Sequence, residues 1–377
     1  MSLSKEQHMI QDMARQFAAA ELAPHASRWD EEREIPIEVY REMGRLGLLG
    51  MCVPEEWGGA GCDFTSYVLA MEEIAGASAA ASVVMSVNNS PICSALLAYG
   101  SEAQKQQHLR PLASGEHLGA FCLTEPHTGS DAAAIRTRAR KVGNRYVLDG
   151  TKQFISHGSI SDLALVFAVT DPDAGKAGIS AFLVPTEDPG YVVARVEHKL
   201  GQRAADTCQI VLEDLEVTPD RLLGEEGQGL RIALGNLEPG RVGVAAQATG
   251  IANAAFKAAN AYAGERETFG TAIANHQAVA FRLADMATRL EAARQLTLHA
   301  AALRDEGVPC LKEASMAKLF ASEAAERICS DAIQIHGGYG YLSDFPVERY
   351  YRDVRVCQIY EGTSDIQRLV IIPIPLD

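Results

Sequence analysis

Positive charge is scarce in this chain. Its 34 lysines and arginines face 49 aspartates and glutamates, a formal net charge of −15 over 377 residues. Without surplus cations there is little to neutralise phosphates, which argues against nucleic acid or an anionic membrane as partner. The one basic stretch, Arg349, Tyr350, Tyr351, Arg352 and Arg355, reads as a structural or subunit contact against that background. Paired cysteines are also missing. Cys52, Cys62, Cys93, Cys122, Cys208, Cys310, Cys329 and Cys357 are scattered, with no C-x-x-C and no Cys/His cluster. This points to reduced thiols in a reducing compartment and to no metal site. The first twelve residues are polar and charged, so no secretory signal is read there and a cytoplasmic protein is expected. Internal repeats and low-complexity linkers are absent. Nothing matches G-x-x-x-x-G-K, G-x-S-x-G or H-E-x-x-H.

Residues 74–100 carry no charge, but Asn88, Asn89, Ser90 and Pro91 interrupt them. Those groups would leave backbone unsatisfied in lipid, so two buried helices joined by a polar turn are expected and no membrane insertion. The length suggests two or three domains, and 47% apolar residues suit an ordinary globular core.

Three regions differ in period. Residues 1–117 read as a helical domain: Ser4 can cap a helix reaching Leu22, and Ile37, Tyr40 and Met43 mark another apolar face. The glycine-rich stretch 54–61 reads as a plain connection between helices. Residues 118–225 read as a β-domain. Strand-like runs occur at 120–124, 138–142, 145–148, 152–156, 164–170, 179–185, 191–197 and 207–217, and Gly143-Asn144 is a two-residue hairpin signal. Short strands without intervening helices argue for an antiparallel barrel or sandwich and against a doubly wound sheet. Residues 226–377 return to helix, with three long segments at 241–263, 277–306 and 313–336 that suggest an antiparallel bundle. The fold class expected is therefore α+β and multidomain.

Several stretches could carry chemistry. In the segment 358–368, an apolar run with a tyrosine ends in Glu361, followed by Gly362 and the capping series Thr363, Ser364 and Asp365. A carboxylate on an apolar shelf beside open backbone N–H groups is a candidate general base. A solvated acid ahead of a helix is the bland alternative. The segment FCLTEPHTGSD (121–131) leaves a strand for a turn rich in hydroxyls and N–H donors, able to bond the polar edge of a flat heteroaromatic ring or to be a decorated turn. Phe154 offers a stacking face or a core aromatic. The glycines after His336 close a helix instead of opening one, against a Rossmann site. Arg266 could pair a phosphate or simply complement a helix C-terminus.

Taken together, FCLTEPHTGSD (121–131), KQFIS (152–156), KLGQRAADT (199–207), GRVGVAAQ (240–247), ERETFG (265–270), HQA (276–278), QIHGGYGY (334–341) and QIYEGTSDIQR (358–368) resemble the acyl-CoA dehydrogenase family. They occur in family order over most of the chain. The likeness is to the short-chain and isobutyryl-type branch. It implies an N-terminal all-α domain, a middle β-domain and a C-terminal four-helix bundle, in a homotetramer with one FAD per subunit.

By motif, Phe121, Leu123, Thr124, Gly129 and Ser130 would line the flavin, with Phe154, Ile155 and Ser156 on its other side. Arg266, Thr268, Phe269 and Gln277 would reach a neighbouring subunit's FAD, as would Gln334, Gly337 and Gly338. Thr363 and Asp365 would contact the dinucleotide. Ser130, Glu238, Arg241 and Gly362 match positions at the acyl-CoA site. Glu361 would take the α-proton while the flavin accepts the β-hydride, and the electrons would pass to an electron-transfer flavoprotein. Some family members carry the base at the position of Gly240, where glycine cannot serve; Glu238 nearby stands at a Pro239 break. Departures from the pattern are His127, Phe154 in place of the usual tryptophan, and the tail after Arg368. An acyl-CoA oxidase, a non-dehydrogenating relative and an inactive CoA-ester binding protein remain as alternatives.

Overall fold

The computed structural model describes residues 3–372; the end of the departing tail, residues 373–377, lies outside them. The helical region holds α1 (Lys5–Phe17), α2 (Ala26–Glu32), α3 (Ile37–Arg45), α4 (Phe64–Ala77), α5 (Ala79–Val87), α6 (Ser94–Tyr99), α7 (Glu102–Gln104) and α8 (Arg110–Ala113). Ser4 starts α1 with a reciprocal cap: its hydroxyl accepts the Gln7 N–H at 3.1 Å and its own N–H donates to the Gln7 side chain at 2.9 Å.

The uncharged run folds as two helices around a polar turn, as its asparagines suggest. Ser90 leaves helical geometry at φ −148°. Asn88 donates to the carbonyls of Leu49 and Leu112 at 3.0 and 2.8 Å and accepts the Gly119 N–H at 3.0 Å. Asn89 donates to Leu48 and Met85, both at 2.8 Å, and accepts the Met51 N–H at 2.7 Å. Ala79–Tyr99 is long and apolar enough to cross a bilayer, yet 78% of its most apolar window is buried in the protein.

The β-region holds β1 (Gly119–Cys122), β2 (Arg138–Val142), β3 (Arg145–Ser156), β4 (Leu163–Val169), β5 (Ile179–Pro185), β6 (Tyr191–Val196), β7 (Thr207–Val217) and the two-residue β8 (Leu222–Leu223). They form one sheet in the order β6-β7-β3-β2-β4-β5-β8, with β1 beside β4. Most pairings are antiparallel, but β1 runs parallel to β4 and β2 meets β4 at one parallel pair, so the sheet is mixed. Val142 pairs with Arg145 across the Gly143-Asn144 turn. The two runs expected at 145–148 and 152–156 are one strand, carried past Gly150 by register shifts against β7. Leu165, Phe167 and Leu183 pack against the helical region at Ile92, Leu96 and Leu112. Tyr146, Phe182, Cys208 and Ile210 belong to a second core within the sheet.

The chain returns to helix with α9 (Gly229–Glu265). After the small hairpin of β9 (Glu267–Thr268) and β10 (Thr271–Ala272) come α10 (Gln277–Asp305), α11 (Leu311–His336), α12 (Val347–Val354) and α13 (Ser364–Ile371). The first of these begins well before the expected 241, and Pro239 does not break it: the helix continues through that residue. A Cβ on Gly250 would lie 2.2 Å from the Glu72 carbonyl, so only glycine lets α9 and α4 meet at backbone distance. Long α9, α10 and α11 pack on one another, with α12 and α13 against α11. Gln202, in the β6–β7 loop, donates to Asp353 of α12 through its N–H and through Nε2 at 3.1 Å, tying the sheet to the segment that leads into Glu361.

Candidate functional site

The turn at Glu361 is built by contacts from three helices. Glu361 has φ 55° and Gly362 φ 88°. A non-glycine residue in the left-handed region costs about 1–3 kcal/mol and persists only where its surroundings fix it. Here they do. Gln367, fully buried on α13, donates to the carbonyls of Glu361 at 3.0 Å and Gly362 at 2.8 Å. Lys318, fully buried on α11, donates to the Gly362 carbonyl at 2.6 Å. Thr363 caps α13 through the Ile366 N–H at 3.4 Å. On the near side, the Tyr360 hydroxyl donates to Gln247 of α9.

The Glu361 side chain lies against Gly240. A Cβ there would come within 2.8 Å of the carboxyl carbon, so the glycine that cannot itself act as base makes room for one. The residue is half-buried, but its Oε2 is shut off from solvent and has no hydrogen-bond partner. Burial pushes the carboxyl up to about 7, against the opposing pull of Arg241 and Lys318. Among the described residues the Glu361 N–H donates to no protein acceptor, leaving a donor beside the base. A carboxylate that titrates near neutrality, with a free amide next to it, suits proton abstraction next to a carbonyl.

A cavity of about 610 Å³ opens alongside, lined by Phe64, Tyr67, Ser90, Ser94, Glu238 and Arg304 among others. Its wall includes Pro239, the neighbour of Gly240. Arg304 lies 3.4 Å from Glu238 and 4.9 Å from the Phe64 ring centre. Arg241 is buried and donates to Ser315 at 3.3 Å, with its Nε unpartnered.

The strand edge expected to hold a flat ring is assembled as well. The Gln153 N–H donates to the Thr124 carbonyl at 2.8 Å, which sets Thr124 beside Phe154. Phe154, at φ 60° in the β3 bulge, exposes 64% of its surface. Ile155 beneath it is buried, and Ser156 is half-buried. Phe121 is half-buried and Leu123 buried, whereas Gly129 and Ser130 stay exposed in the turn. An exposed aromatic beside a turn of hydroxyls and open backbone fits a flavin's apolar face and polar edge. Ser130 makes no hydrogen bond to Glu238, Arg241 or Glu361.

The third group gathers elsewhere. Arg266, Thr268, Gly337 and Gly338 line one cleft of about 420 Å³ with Tyr262 and Tyr339. Tyr262 stacks on His336 at 4.3 Å, and Arg266 lies 5.8 Å over the Tyr339 ring. Phe269, at φ 53°, is 99% exposed. Gln277 opens α10 and Gln334 sits in the last turn of α11, both exposed. Asp365 is exposed and pairs with Arg368 at 3.3 Å.

Two elements escaped the sequence reading. Lys152, fully buried, donates to Glu125 at 2.8 Å and to the Leu123 carbonyl at 3.1 Å. Glu125 also accepts the N–H groups of Arg136 at 2.6 Å and Thr137 at 2.9 Å. Burial opposes its charge, yet Lys152 and these donors win and hold the carboxyl below its usual range. Lys318 is the other. The available signal was a lysine on the core-facing stripe of α11, beside buried Ala314, Ala317 and Ala321.

Known proteins share this layout. The acyl-CoA dehydrogenase N-terminal, middle and C-terminal domain families match residues 4–116, 120–215 and 227–373. An acyl-CoA dehydrogenase of Bacillus subtilis is 50% identical over 98% of both chains. The mouse mitochondrial short-chain specific acyl-CoA dehydrogenase is 48% identical over 98% of this chain and 90% of its own. Among solved structures, butyryl-CoA dehydrogenase from Megasphaera elsdenii superposes with a TM-score of 0.96 at 40% identity, covering 98% of each chain. A chain from work on the electron transferring flavoprotein of Acidaminococcus fermentans and flavin-based electron bifurcation gives 0.97 at 45%, again over 98% of each. A glutaryl-CoA dehydrogenase from Mycobacterium smegmatis in complex with FADH2 gives 0.93 at 33%, over 98% of this chain and 94% of its own.

Proposed function

Since the chain belongs to the acyl-CoA dehydrogenase family, we propose that it oxidises the Cα–Cβ bond of a short or branched short-chain acyl-CoA to the 2-enoyl-CoA, with FAD as cofactor and an electron-transfer flavoprotein as acceptor. The observation that carries this reading is Glu361: a carboxylate with one desolvated, unpartnered oxygen, held in a left-handed turn over Gly240. Glu361 takes the α-proton at its carboxylate. Its own backbone N–H donates to the thioester carbonyl and steadies the charge that develops there. Glu238 and Arg241 on α9 take the thioester's polar side, and acyl-CoA seated in the cavity beside Pro239 displaces water near the carboxylate. Bound FAD supplies the hydride acceptor and the route by which electrons leave.

Thr124 and the exposed turn of Gly129 and Ser130 hold the ring edge, and Phe154 to Ser156 cover its face. Arg266, Thr268, Gly337 and Gly338 in their cleft, with the exposed Phe269, Gln277 and Gln334, receive the dinucleotide of a neighbouring subunit, and Thr363 and Asp365 contact the dinucleotide. This arrangement calls for an oligomer, proposed as a homotetramer. The three proposed domains are 1–117, 118–225 and 226–377. A reducing, cytoplasmic setting accords with eight unpaired thiols.

The test is anaerobic bleaching of the flavin by butyryl-, isobutyryl-, 2-methylbutyryl-, isovaleryl- and octanoyl-CoA. Fast bleaching by one of the four-carbon or five-carbon esters is expected. Bleaching by octanoyl-CoA alone would overturn the short-chain assignment, and rapid reoxidation by oxygen with peroxide release would point to an oxidase instead.

A further inference from the structure

Lys318 sits on α11 with no exposed surface, and no carboxylate lies within ion-pairing distance of it among the described residues. Its one hydrogen bond goes to a neutral acceptor, the Gly362 carbonyl, at 2.6 Å. Burying an ammonium without a counter-charge costs several kcal/mol. A neutral donor would hold that carbonyl at far lower cost, and one already does: Gln367 reaches the same oxygen at 2.8 Å. The turn therefore needs no cation for its shape. The charge of Lys318 calls for another role, and the carboxylate immediately preceding that carbonyl in sequence supplies it.

We propose that Lys318 is a positioning residue for the Glu361 base, a buried cation that bonds the Gly362 carbonyl and, from there, favours the charged Glu361 carboxylate while substrate is bound. This rests on the reading of Glu361 as the base.

The groups facing this pair come from every side. Arg241 approaches from α9 and Tyr67 from α4; Cys357 and Tyr360 lie on the segment before the turn. Burial holds both tyrosines well above their usual range and pushes Cys357 up to about 12, so all three stay neutral near pH 7. Arg241 stays cationic. That leaves Glu361 and Lys318 as the groups here that change charge near neutrality. Burial brings Lys318 down to about 8, while Cys357 and Glu361 oppose that fall and Arg241 adds to it. A cation beside the acid favours its charged form, so the rising limb of the rate profile, which needs the Glu361 carboxylate, lies at lower pH with Lys318 in place than without it.

The experiment follows flavin bleaching of the FAD-loaded enzyme by butyryl-CoA between about pH 5.5 and 9.5. Wild type is compared with Lys318→Met, which keeps the length, and Lys318→Gln, which keeps a donor for Gly362. Removing the cation favours protonated Glu361, so the acid limb should move to higher pH by on the order of one unit. The rate at pH 7 should fall about 10-fold, and the loss should be largely recovered by about pH 9, where Glu361 is ionised without help. Half-saturating butyryl-CoA should change less than about threefold, because the loss is in the chemical step and not in binding. A folded, FAD-loaded variant with the wild-type profile overturns the proposal. So does an effect confined to half-saturation, or the failure of both variants to fold with FAD, which would make Lys318 structural. Glu361→Gln run alongside separates the two claims. If it bleaches normally, the base assignment fails; if it is inert while the Lys318 variants behave as wild type, only the role of Lys318 fails.

Discussion

Two fully buried lysines, one in the sheet and one in the helical bundle, show opposite uses of the same charge. Lys152 meets Glu125 at 2.8 Å, and two backbone N–H groups complete the carboxylate's shell. Glu125 stays ionised below its usual range, and the pair fastens the strand end at Leu123 to β3. Lys318 meets only a carbonyl, and the nearby Glu361 keeps one oxygen bare, its carboxyl raised to about 7. A carboxylate with both oxygens bonded is a fastener. One left under-solvated can take a proton from carbon. What separates anchor from catalyst is the completeness of the shell: three donors close on Glu125, and none reaches the Glu361 Oε2.

The strongest way to break this contrast is to neutralise the acid in one case and the lysine in the other. Glu361→Gln should lower the bleaching rate by on the order of 10³-fold while FAD content holds, because the unpartnered Oε2 has no hydrogen bond to lose. Retained turnover in that variant would end the base assignment. Lys152→Met should do the reverse in kind. It strands Glu125 in the interior, costing about 3–5 kcal/mol in denaturant unfolding and releasing FAD from the strand edge. A Lys152→Met protein as stable as wild type would show that the donors from Arg136 and Thr137 suffice.

A subtler test shifts the base without changing its charge. Gly240→Ala places a methyl where the Glu361 carboxyl group now lies, at 2.8 Å. The acid must move, and the bleaching rate should fall by on the order of 10-fold to 10²-fold. Wild-type rates in that variant would mean that the acid adjusts freely.

Glu72 lies between the two cases and carries the smallest effect. It meets Arg294 at 3.0 Å, but its Oε1 is buried without a partner, and burial raises its carboxyl from 4.5 to about 7. The native state therefore holds this proton more tightly than the unfolded chain. Its stabilising share is full below the unfolded value of 4.5 and is lost as pH climbs through about 7. Glu72→Gln should flatten the fall in stability over that window by about 1 kcal/mol in denaturant titrations, a figure discounted for the partly open Arg294. Equal slopes in variant and wild type would place Glu72 with Glu125 as a fully satisfied group.

Much of the scaffold was readable because its signals are local. Ser4, the Gly143-Asn144 turn, Gly307 and Gly337-Gly338 each mark a boundary within a few residues. The capping run after Glu361 marked its turn in the same way. Other features depend on distant partners and leave no local trace. β3 runs on past Gly150 because β7 pairs with it throughout, and α9 tolerates Pro239 because its flanks are buried against α4 and α11. The bond from Lys318 to Gly362 spans 44 residues and that from Lys152 to Glu125 spans 27. No spacing rule links such pairs, so the two buried cations came to light only in three dimensions.

The paired amides at Asn88 and Asn89 reach the chain at residues 48, 49, 51, 85, 112 and 119. Six backbone groups from four stretches of chain thus share two side chains, the last of them the first residue of β1. Helical layer and sheet are buttoned together from within, so heating should melt them in a single cooperative step and not peel one from the other.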